Sequence, residues 1–300
     1  MQTAAIEQRL LMGLPAEMIR KNEPMASHTT FRIGGPCDLF ISPETEEQIV
    51  FCIQTLRQMG VPMLVMGNGS NMLVRDGGVR ACVVKINSSG AEIRVDRQAK
   101  TLYAGAGESM MAIANRCIQE GLTGQEFASG IPGTVGGATF MNAGAYKSCM
   151  AEVVSEVFVL RQGRCEWLSP AECGFGYRTS IFQSHPDWVI LAVRFHLTKQ
   201  DQTEIRDLMD RRRQRRMESQ PLDKPSAGSV FRNPKDRQAW QMIDELGYRG
   251  RRVGGVSVSE KHVNFIVNDQ QGKARDFIEL VEEIQEQVRR HYGEELILEV

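Results

Sequence analysis

The sequence lacks a long hydrophobic run, a surplus of charge of either sign and a C-x-x-C pair. Its 300 residues contain 36 Lys and Arg against 37 Asp and Glu, which gives a formal net charge of −1. Because such a chain has no global field for a polyanion and no segment long enough to cross a bilayer, we expect neither a nucleic-acid nor a membrane partner. Apolar residues make up 42% of the chain, which excludes a disordered protein and allows a sizeable core.

The cysteines exclude two further classes of protein. Seven is an odd number, and their spacing is not that of metal ligands, so we expect neither a disulfide framework nor a metal site. Reduced, mostly buried thiols indicate a cytoplasmic protein. Residues 1–15 include Glu7 and Arg9, which favours a short amphipathic helix over a signal peptide.

Strand-like and helix-like segments alternate along the chain, which predicts an α+β fold. Charged residues dominate 202–219, and an apolar stripe at helical spacing runs through 274–291, so both segments are predicted to be helices. The character of the sequence changes near residue 200, where we place a domain boundary. We therefore expect an N-terminal helix in 1–20, a first domain in 21–200, and a smaller domain in 201–300 that ends in a strand.

Glycine is concentrated in two stretches. The first, Gly67-Asn68-Gly69-Ser70-Asn71-Met72-Leu73-Val74, follows a predicted strand, and successive N–H groups in such a turn can bind an anion. It lacks the third glycine of the dinucleotide-binding fingerprint and the lysine of a P-loop, so alone it favours an ordinary turn. The second stretch, 130–138, is followed by Asn142-Ala143-Gly144-Ala145-Tyr146. It suits either a close, diphosphate-bearing ligand or a loop with purely steric constraints, and both alternatives stay open.

Two more patterns complete a set that identifies a family. They are H-T-T-F-R-I-G-G-P at 28–36 and S-A-G-S-V-F-R-N-P at 226–234, in which Ser229 does not occupy a nucleophile elbow. With them, the sequence resembles the UDP-N-acetylenolpyruvoylglucosamine reductases, the flavoenzymes of bacterial peptidoglycan precursor synthesis. The resemblance spans residues 20–300 and rests on T-T-F-R-I-G-G at 29–35, G-N-G-S-N-M-L-V at 67–74, G-I-P-G-T-V-G-G-A at 130–138, N-A-G-A-Y at 142–146, G-Y-R-T-S at 176–180, A-G-S-V-F-R-N-P at 227–234, V-S-x-K-H-x-N-F-I-V-N at 258–268 and the terminal L-E-V.

The resemblance implies a fold, two cofactors and a substrate. The fold is an FAD-binding domain of the vanillyl-alcohol-oxidase (PCMH) type, with two α/β lobes over 21–200, followed by a smaller α+β substrate-binding domain over 201–300. FAD and NADPH are the implied cofactors, a UDP-sugar is the implied small-molecule substrate, and we expect a monomer. The implied reaction is the NADPH-dependent reduction of an enolpyruvyl ether on UDP-N-acetylglucosamine to UDP-N-acetylmuramate.

Matching the motifs residue by residue gives the implied site. The catalytic positions fall on Arg178, Ser229 and Glu299. The implied FAD-binding residues are Arg32, Gly34, Gly35, Gly67, Asn68, Gly69, Ser70, Asn71, Met72, Gly130, Ile131, Pro132, Gly133, Gly136, Gly137, Asn142, Gly144 and Ala145. The implied substrate-binding residues are Tyr177, Arg215 and Asn233, and no metal ligand is implied.

The residue types suit this chemistry. Hydride addition leaves an enolate conjugated with a carboxylate, and the Arg178 guanidinium can pair with that carboxylate through two hydrogen bonds. Ser229 is the candidate proton donor, and a protonated Glu299 would donate a hydrogen bond to the intermediate. Without the family motifs, a surface salt bridge would be the better interpretation of Arg178, and a solvated carboxylate that of Glu299.

Two departures from the family pattern concern the site. Lys147 follows N-A-G-A-Y where glycine is common, which affects the turn, and the stretch between Arg178 and Ser229 lacks the tyrosine-bearing segment of the longer family type. The basic run 211–216 is most simply a solvated helix face, with a diphosphate contact by Arg215 or Arg216 as the alternative. Two other functions stay open: a flavin oxidase or dehydrogenase acting on another alcohol or sugar, and a flavin-binding module without turnover.

Overall fold

A computed structural model describes residues 3–87 and 92–300, and within these ranges the chain forms seven α-helices and seventeen β-strands. The helices are α1 (Thr3–Leu10), α2 (Glu46–Gln58), α3 (Met110–Glu120), α4 (Val135–Phe140), α5 (Gln202–Ser219), α6 (Ala239–Glu245) and α7 (Ala274–Tyr292). The strands are β1 (Ile19–Pro24), β2 (Pro36–Ile41), β3 (Met63–Met66), β4 (Val79–Lys85), β5 (Ile93–Asp96), β6 (Thr101–Gly105), β7 (Leu122–Thr123), β8 (Gly144–Ala145), β9 (Ser148–Cys149), β10 (Val154–Arg161), β11 (Arg164–Leu168), β12 (Val189–His196), β13 (Thr198–Lys199), β14 (Ser226–Ser229), β15 (Arg252–Val253), β16 (Val256–Val258) and β17 (Phe265–Asn268).

Packing divides the chain into two compact units. The first contains Met1–Lys21, Leu39–Asn68 and Ala81–Gln214; the second contains Asn22–Asp38, Gly69–Arg80 and Arg215–Val300. Parts of two predicted cofactor motifs therefore pack with the C-terminal residues. The expected domains 1–20, 21–200 and 201–300 follow the change in sequence character near residue 200, and that division stays a prediction, because the two units describe packing alone.

The first unit is built around antiparallel strands. Its five-stranded sheet has the order β11-β10-β12-β6-β5, with Phe195 opposite Leu102 in the central pair. α3 begins at the Ser109 side chain, which accepts a hydrogen bond from Ala112 N–H, and its buried face carries Ile113 and Cys117. A further sheet has the order β1-β2-β4-β3, and β3 pairs parallel to β4. The first glycine-rich stretch begins directly after β3.

The second unit has its own core. Its sheet has the order β14-β17-β16-β15, and α7 buries the predicted apolar stripe, which includes Phe277, Leu280 and Ile284. Phe31, from the T-T-F-R-I-G-G motif, is fully buried in this core and meets the Phe277 ring edge-on at 5.3 Å. Buried apolar contacts thus hold residues 29–35 beside the C-terminal segment.

Two expectations about local structure were wrong. Residues 295–300 form no continuous strand, since their only assigned bridge pairs Leu298 with Phe231. The stretch 130–138, expected to form a glycine-rich loop, contains the start of α4. The Thr134 side chain caps the first turn of this helix by accepting a hydrogen bond from Gly137 N–H at 3.2 Å.

Five of the seven cysteines are buried. All seven cysteines are free thiols, and burial raises the pKa of the Cys52 and Cys117 thiols to about 12. Among the described helices, none combines the length and the apolar character that spanning a bilayer requires.

Candidate active site

The two glycine-rich stretches meet in the first unit. Asn68 Nδ2 donates to Pro132 O at 3.3 Å, and a Cβ on Gly67 would overlap Thr134 Oγ1. Only glycine at position 67 allows this approach. The structure therefore places Asn68 and Gly67 directly against the loop that contains Ile131, Pro132 and Gly133.

Protein packing accounts for the glycine at position 136. Its N–H donates to Ala106 O at 2.8 Å, and an added Cβ would lie 2.9 Å from Ala106 Cβ. Contact with Ala106 alone therefore explains why glycine occupies position 136, without a ligand. Gly137 differs, because it is exposed and an added Cβ would meet only Thr134 Oγ1 at 3.4 Å, an ordinary contact distance.

The N-A-G-A-Y motif forms a tight hairpin beside the Arg178 loop. Gly144 pairs with Cys149 and Ala145 with Ser148, so Tyr146 and Lys147 form a two-residue turn, with φ of 55° and 65°. Asn142 is buried, and its Nδ2 donates to Gly176 O at 2.7 Å. The Asn142 carboxamide thereby links two of the quoted motifs within the first unit.

Arg178 is half-buried and held from both its backbone and its side chain. Its backbone adopts φ 55° inside a loop closed by the Gly176–Thr179 bridge, and its carbonyl accepts from Gln183 Nε2 at 3.1 Å. Its guanidinium donates to Gly144 O at 2.9 Å and lies 5.2 Å from the centroid of the Tyr177 ring. These contacts describe an oriented arginine, and its catalytic role stays a prediction.

Ser229 and Glu299 lie on adjoining extended segments of the second unit. Ser229 ends β14, where it pairs with Phe265 after a register shift at Gly228, and it is half-buried. Glu299 N–H donates to Val230 O at 2.8 Å, and Leu298 forms a bridge with Phe231. Two predicted catalytic positions separated by 70 residues are thus placed on adjoining segments by backbone hydrogen bonds.

The predicted cofactor residues 32–35 pack against the later part of the first glycine-rich stretch. Gly35 N–H donates to Arg75 O at 3.0 Å, and Thr30 N–H donates to Gly69 O at 3.2 Å. Arg32 is exposed with φ 55°, and Gly34 O accepts from Ala26 N–H at 3.2 Å. Residues 29–35 and 69–76 therefore form one continuous structure within the second unit.

Residues 70–72 are half-buried, and Asn71 contacts the backbone of Glu299, a predicted catalytic residue. Asn71 Nδ2 donates to Glu299 O at 2.8 Å, so a predicted cofactor loop also fixes the backbone of a predicted catalytic residue. Ser70 and Met72 flank it, and Ser70 O lies 3.9 Å from the position that a Cβ on Gly228 would take. Asn71 therefore contacts Glu299, and Ser70 lies near Gly228, the residue before Ser229.

The remaining predicted substrate residues have structural contacts of their own. Asn233 is exposed, and its Oδ1 accepts from Ala239 N–H at 3.1 Å, which caps α6. Arg215 is exposed on α5, and its carbonyl accepts from Ser219 Oγ at 2.8 Å. Tyr177 is 56% exposed. These contacts leave the substrate roles of the three residues as predictions.

The sequence did not indicate the role of two buried carboxamides. Asn264 bonds the backbone of Phe231, and Gln125, 1% exposed, has both carboxamide atoms without a hydrogen-bond partner in the described part of the chain. Asn264 lies in a quoted motif, but nothing in its spacing indicates its contact. In residues 3–87 and 92–300, no three His, Cys, Asp or Glu side chains are grouped to hold a metal ion.

Two family sequence models match the chain. The model of an FAD-binding domain matches residues 37–169, and the model described as the UDP-N-acetylenolpyruvoylglucosamine reductase C-terminal domain matches residues 220–300. The loops described above fit FAD. They offer backbone N–H, Asn, Ser and Thr donors, they contain no acidic residue in 67–74, 130–138 or 142–146, and they include the positive φ of Gly69 that anion-binding turns use.

Similar proteins agree along nearly the whole chain. A UDP-N-acetylenolpyruvoylglucosamine reductase of Caldanaerobacter subterraneus is 43% identical, covering 93% of this chain and 91% of its own, and that of Anoxybacillus flavithermus is 40% identical, covering 94% and 93%. The crystal structure of the Thermus caldophilus reductase superposes with a TM-score of 0.78 at 34% identity, covering 94% and 96%. An alkyldihydroxyacetonephosphate synthase shares the FAD-domain fold alone, with 14% identity and a TM-score of 0.50. The expected α+β fold, a vanillyl-alcohol-oxidase-type domain followed by a smaller domain, is confirmed, and the chain belongs to the UDP-N-acetylenolpyruvoylglucosamine reductase family.

Proposed function

We propose that the chain reduces the enolpyruvyl ether of UDP-N-acetylglucosamine-enolpyruvate to UDP-N-acetylmuramate, with NADPH and bound FAD, in peptidoglycan precursor synthesis. The observation that carries the proposal is the backbone pairing of Val230 with Glu299, which sets Ser229 and Glu299 on adjoining segments. Flavin binding alone requires neither residue. Their pairing therefore favours this reductase over an oxidase of the same fold and over a binding module without turnover.

The chain would hold FAD through its glycine-rich loops. In the first unit, backbone N–H groups of 67–68 and 130–137 suit a diphosphate, and Asn142, Gly144 and Ala145 lie next to the Arg178 loop. In the second unit, Arg32 and residues 69–72 are the further proposed FAD contacts. The chemistry that FAD supplies when bound is the transfer of a hydride from NADPH to the terminal carbon of the enolpyruvyl group.

Arg178 would stabilise the charge that hydride addition creates. The substrate becomes an enolate conjugated with its carboxylate, so negative charge grows next to an existing anion. The Gly144 carbonyl fixes one end of the guanidinium, and a planar, oriented guanidinium offers further N–H donors to the substrate carboxylate. Donors that are already oriented stabilise developing charge without reorganisation at the moment of reaction.

Ser229 would supply the proton that completes the reduction. A serine hydroxyl is a weak acid, so it serves here only because an enolate carbon is a strong base and because the hydroxyl is placed beside it. Glu299, on the adjoining segment, would donate a hydrogen bond to the intermediate when it is protonated. Both positions depend on the pairing between 230–232 and 297–299.

The substrate contacts and the cellular setting are further parts of the proposal. Tyr177, Arg215 and Asn233 are exposed polar side chains that suit the UDP-sugar, which carries hydroxyl groups and a diphosphate. We place the reaction in the cytoplasm, where its free thiols would stay reduced, and we expect a monomer with no nucleic-acid or membrane partner.

A turnover assay tests the function. The purified protein should be yellow, with one FAD per chain, and NADPH absorbance should fall when the UDP-enolpyruvyl sugar is added. NADPH loss with oxygen as the only acceptor would indicate an oxidase, and a flavin that NADPH cannot reduce would indicate a binding module. A colourless protein that FAD cannot reconstitute would contradict both the cofactor and the reaction.

A further inference from the structure

Asn264 holds the segment that directly follows Ser229. Asn264 is 4% exposed, its Oδ1 accepts from Phe231 N–H at 3.0 Å, and its Nδ2 donates to Phe231 O at 2.8 Å. Its backbone carbonyl also accepts from Val230 N–H at 2.8 Å. One residue therefore pairs with both of the positions that come after Ser229.

The side chain of Asn264 replaces a peptide group of the sheet. β14 pairs with β17 up to Ser229, which lies opposite Phe265, and Asn264 stands just before β17. A carboxamide carries one donor and one acceptor side by side, as a peptide group does. Through it the ladder continues to Phe231, whose fully buried backbone would otherwise lack these partners.

The other edge of the same segment holds the C-terminal residues. Val230 O accepts from Glu299 N–H at 2.8 Å, and Arg232 N–H donates to Ile297 O at 2.9 Å. Residues 230–232 thus lie between Asn264 and the Glu299 segment. A shift of this central segment would move Ser229 directly.

Asn264 is itself held in place. Its N–H donates to His262 Nδ1 at 3.2 Å, and His262 N–H donates to Ser259 Oγ at 3.3 Å. Burial lowers the pKa of His262, so its ring stays neutral and Nδ1 stays available as an acceptor. The carboxamide therefore presents a fixed donor and acceptor to Phe231.

We propose that Asn264 is a positioning residue that orients the Ser229 hydroxyl for proton transfer to the enolate carbon. This inference rests on the proposed function, in which Ser229 is the donor. Asn264 contacts neither of the proposed proton-transfer groups through its side chain, so it acts through the backbone of residues 230–231.

The test separates the two half-reactions by rapid mixing, with flavin colour as the signal. Asn264→Leu removes both side-chain hydrogen bonds at similar volume. Oxidation of the reduced enzyme by the UDP-enolpyruvyl sugar should slow by about 10–100-fold, since a misplacement near 1 Å costs that much, while reduction by NADPH should change by less than about twofold. Equal slowing of both half-reactions, or of neither, would overturn the proposal.

Asn268, the last residue of β17, provides a matched control. It is also buried and bonds backbone groups, but its Nδ2 donates to Phe31 O at 3.0 Å and its Oδ1 accepts from Gly272 N–H at 2.7 Å. Asn268→Leu should weaken FAD binding, measured by flavin titration, because it disturbs residues 31–32. If both variants gave the same pattern of half-reaction rates and FAD affinity, Asn264 would be a general stability residue and the proposal would fail.

Asn264→Asp keeps the test decisive if the leucine variant fails to fold. The introduced carboxylate accepts from Phe231 N–H but cannot donate to Phe231 O, whereas the protonated acid can do both. The ratio of variant to wild-type oxidation rates should therefore rise as pH falls. The neighbouring His262, Glu299 and Arg232 are present in both proteins, so the ratio isolates the effect of the introduced carboxyl group. A ratio independent of pH would contradict the proposed donor role of the amide.

A double-mutant cycle separates this inference from the function on which it rests. If Asn264 acts through Ser229, combining Asn264→Leu with Ser229→Ala should slow the oxidation by less than the product of the single effects. If the double variant slowed the oxidation by the full product of the two single effects, the positioning role of Asn264 would be wrong, and Ser229 would remain the proposed proton donor. If Ser229→Ala alone had no effect, the assignment of the donor would fail first.

Discussion

Lys147 occupies a turn position that favours glycine, and replacing it should stabilise the protein. Tyr146 and Lys147 form the two-residue turn of the β8–β9 hairpin with φ of 55° and 65°, the pattern of a type I′ turn. A left-handed conformation destabilises the folded state by about 1–2 kcal/mol at a non-glycine residue, and glycine removes this cost. Glycine also gives the unfolded chain more conformational freedom, which offsets about 0.5–1 kcal/mol of the gain. Lys147→Gly should therefore raise the free energy of unfolding by about 0.5–1 kcal/mol.

The chain contains its own reciprocal control. In the β10–β11 hairpin, Gln162 and Gly163 form the same kind of turn, with φ of 48° and 78°, and a Cβ on Gly163 would meet no atom within 4 Å. Gly163→Lys should lower the free energy of unfolding by the same amount that Lys147→Gly raises it. Urea denaturation followed by tryptophan fluorescence measures both changes.

The backbone explanation can be refuted in one further variant. Lys147→Ala removes the charge and the long side chain but keeps the left-handed cost, so it should leave stability within about 0.3 kcal/mol of the wild type. If alanine stabilised the protein as much as glycine, the gain would come from the side chain and the argument from φ would be wrong.

Three further substitutions test single contacts. Gly136→Val should lower both stability and FAD content, because its side chain would press on Ala106. Adding Ala106→Gly should partly restore both, as measured by thermal denaturation and by flavin titration. Arg178→Lys should reduce turnover by at least about tenfold, since lysine cannot form the two-pronged contact, and unchanged turnover would make the residue an ordinary surface arginine. Gln125→Leu should raise the free energy of unfolding by about 1–3 kcal/mol in urea, and a loss would mean that its amide has a bound partner.

Long periodic elements were predictable from the sequence. The helix expected at 202–219 matches α5, and that expected at 274–291 ends one residue before α7 does. The end of the chain was predicted wrongly as a strand. Leu296, Ile297 and Leu298 are apolar in succession, but the segment has a backbone partner over only three residues. Side-chain period reports burial, whereas strand assignment also needs a paired neighbour.

The motifs predict the site as a set of residues, but they do not predict the contacts between those residues. The motifs named Ser229 and Glu299, but their pairing joins positions far apart in sequence. Likewise, Asn71 reaches Glu299 across 228 positions and Asn264 reaches Phe231 across 33. Each contact depends on how strands pair, and one sequence contains no record of that pairing.

The most direct test of the account follows the proton donor alone. In Ser229→Ala, reduction of FAD by NADPH should proceed at nearly the wild-type rate, because the donor acts only after hydride has reached the substrate. Reoxidation by the UDP-enolpyruvyl sugar should slow by about 10²–10⁴-fold, and Ser229→Cys should recover part of that rate. If rapid mixing showed reoxidation at the wild-type rate in Ser229→Ala, Ser229 would be a structural turn residue and the proposed proton transfer would be wrong.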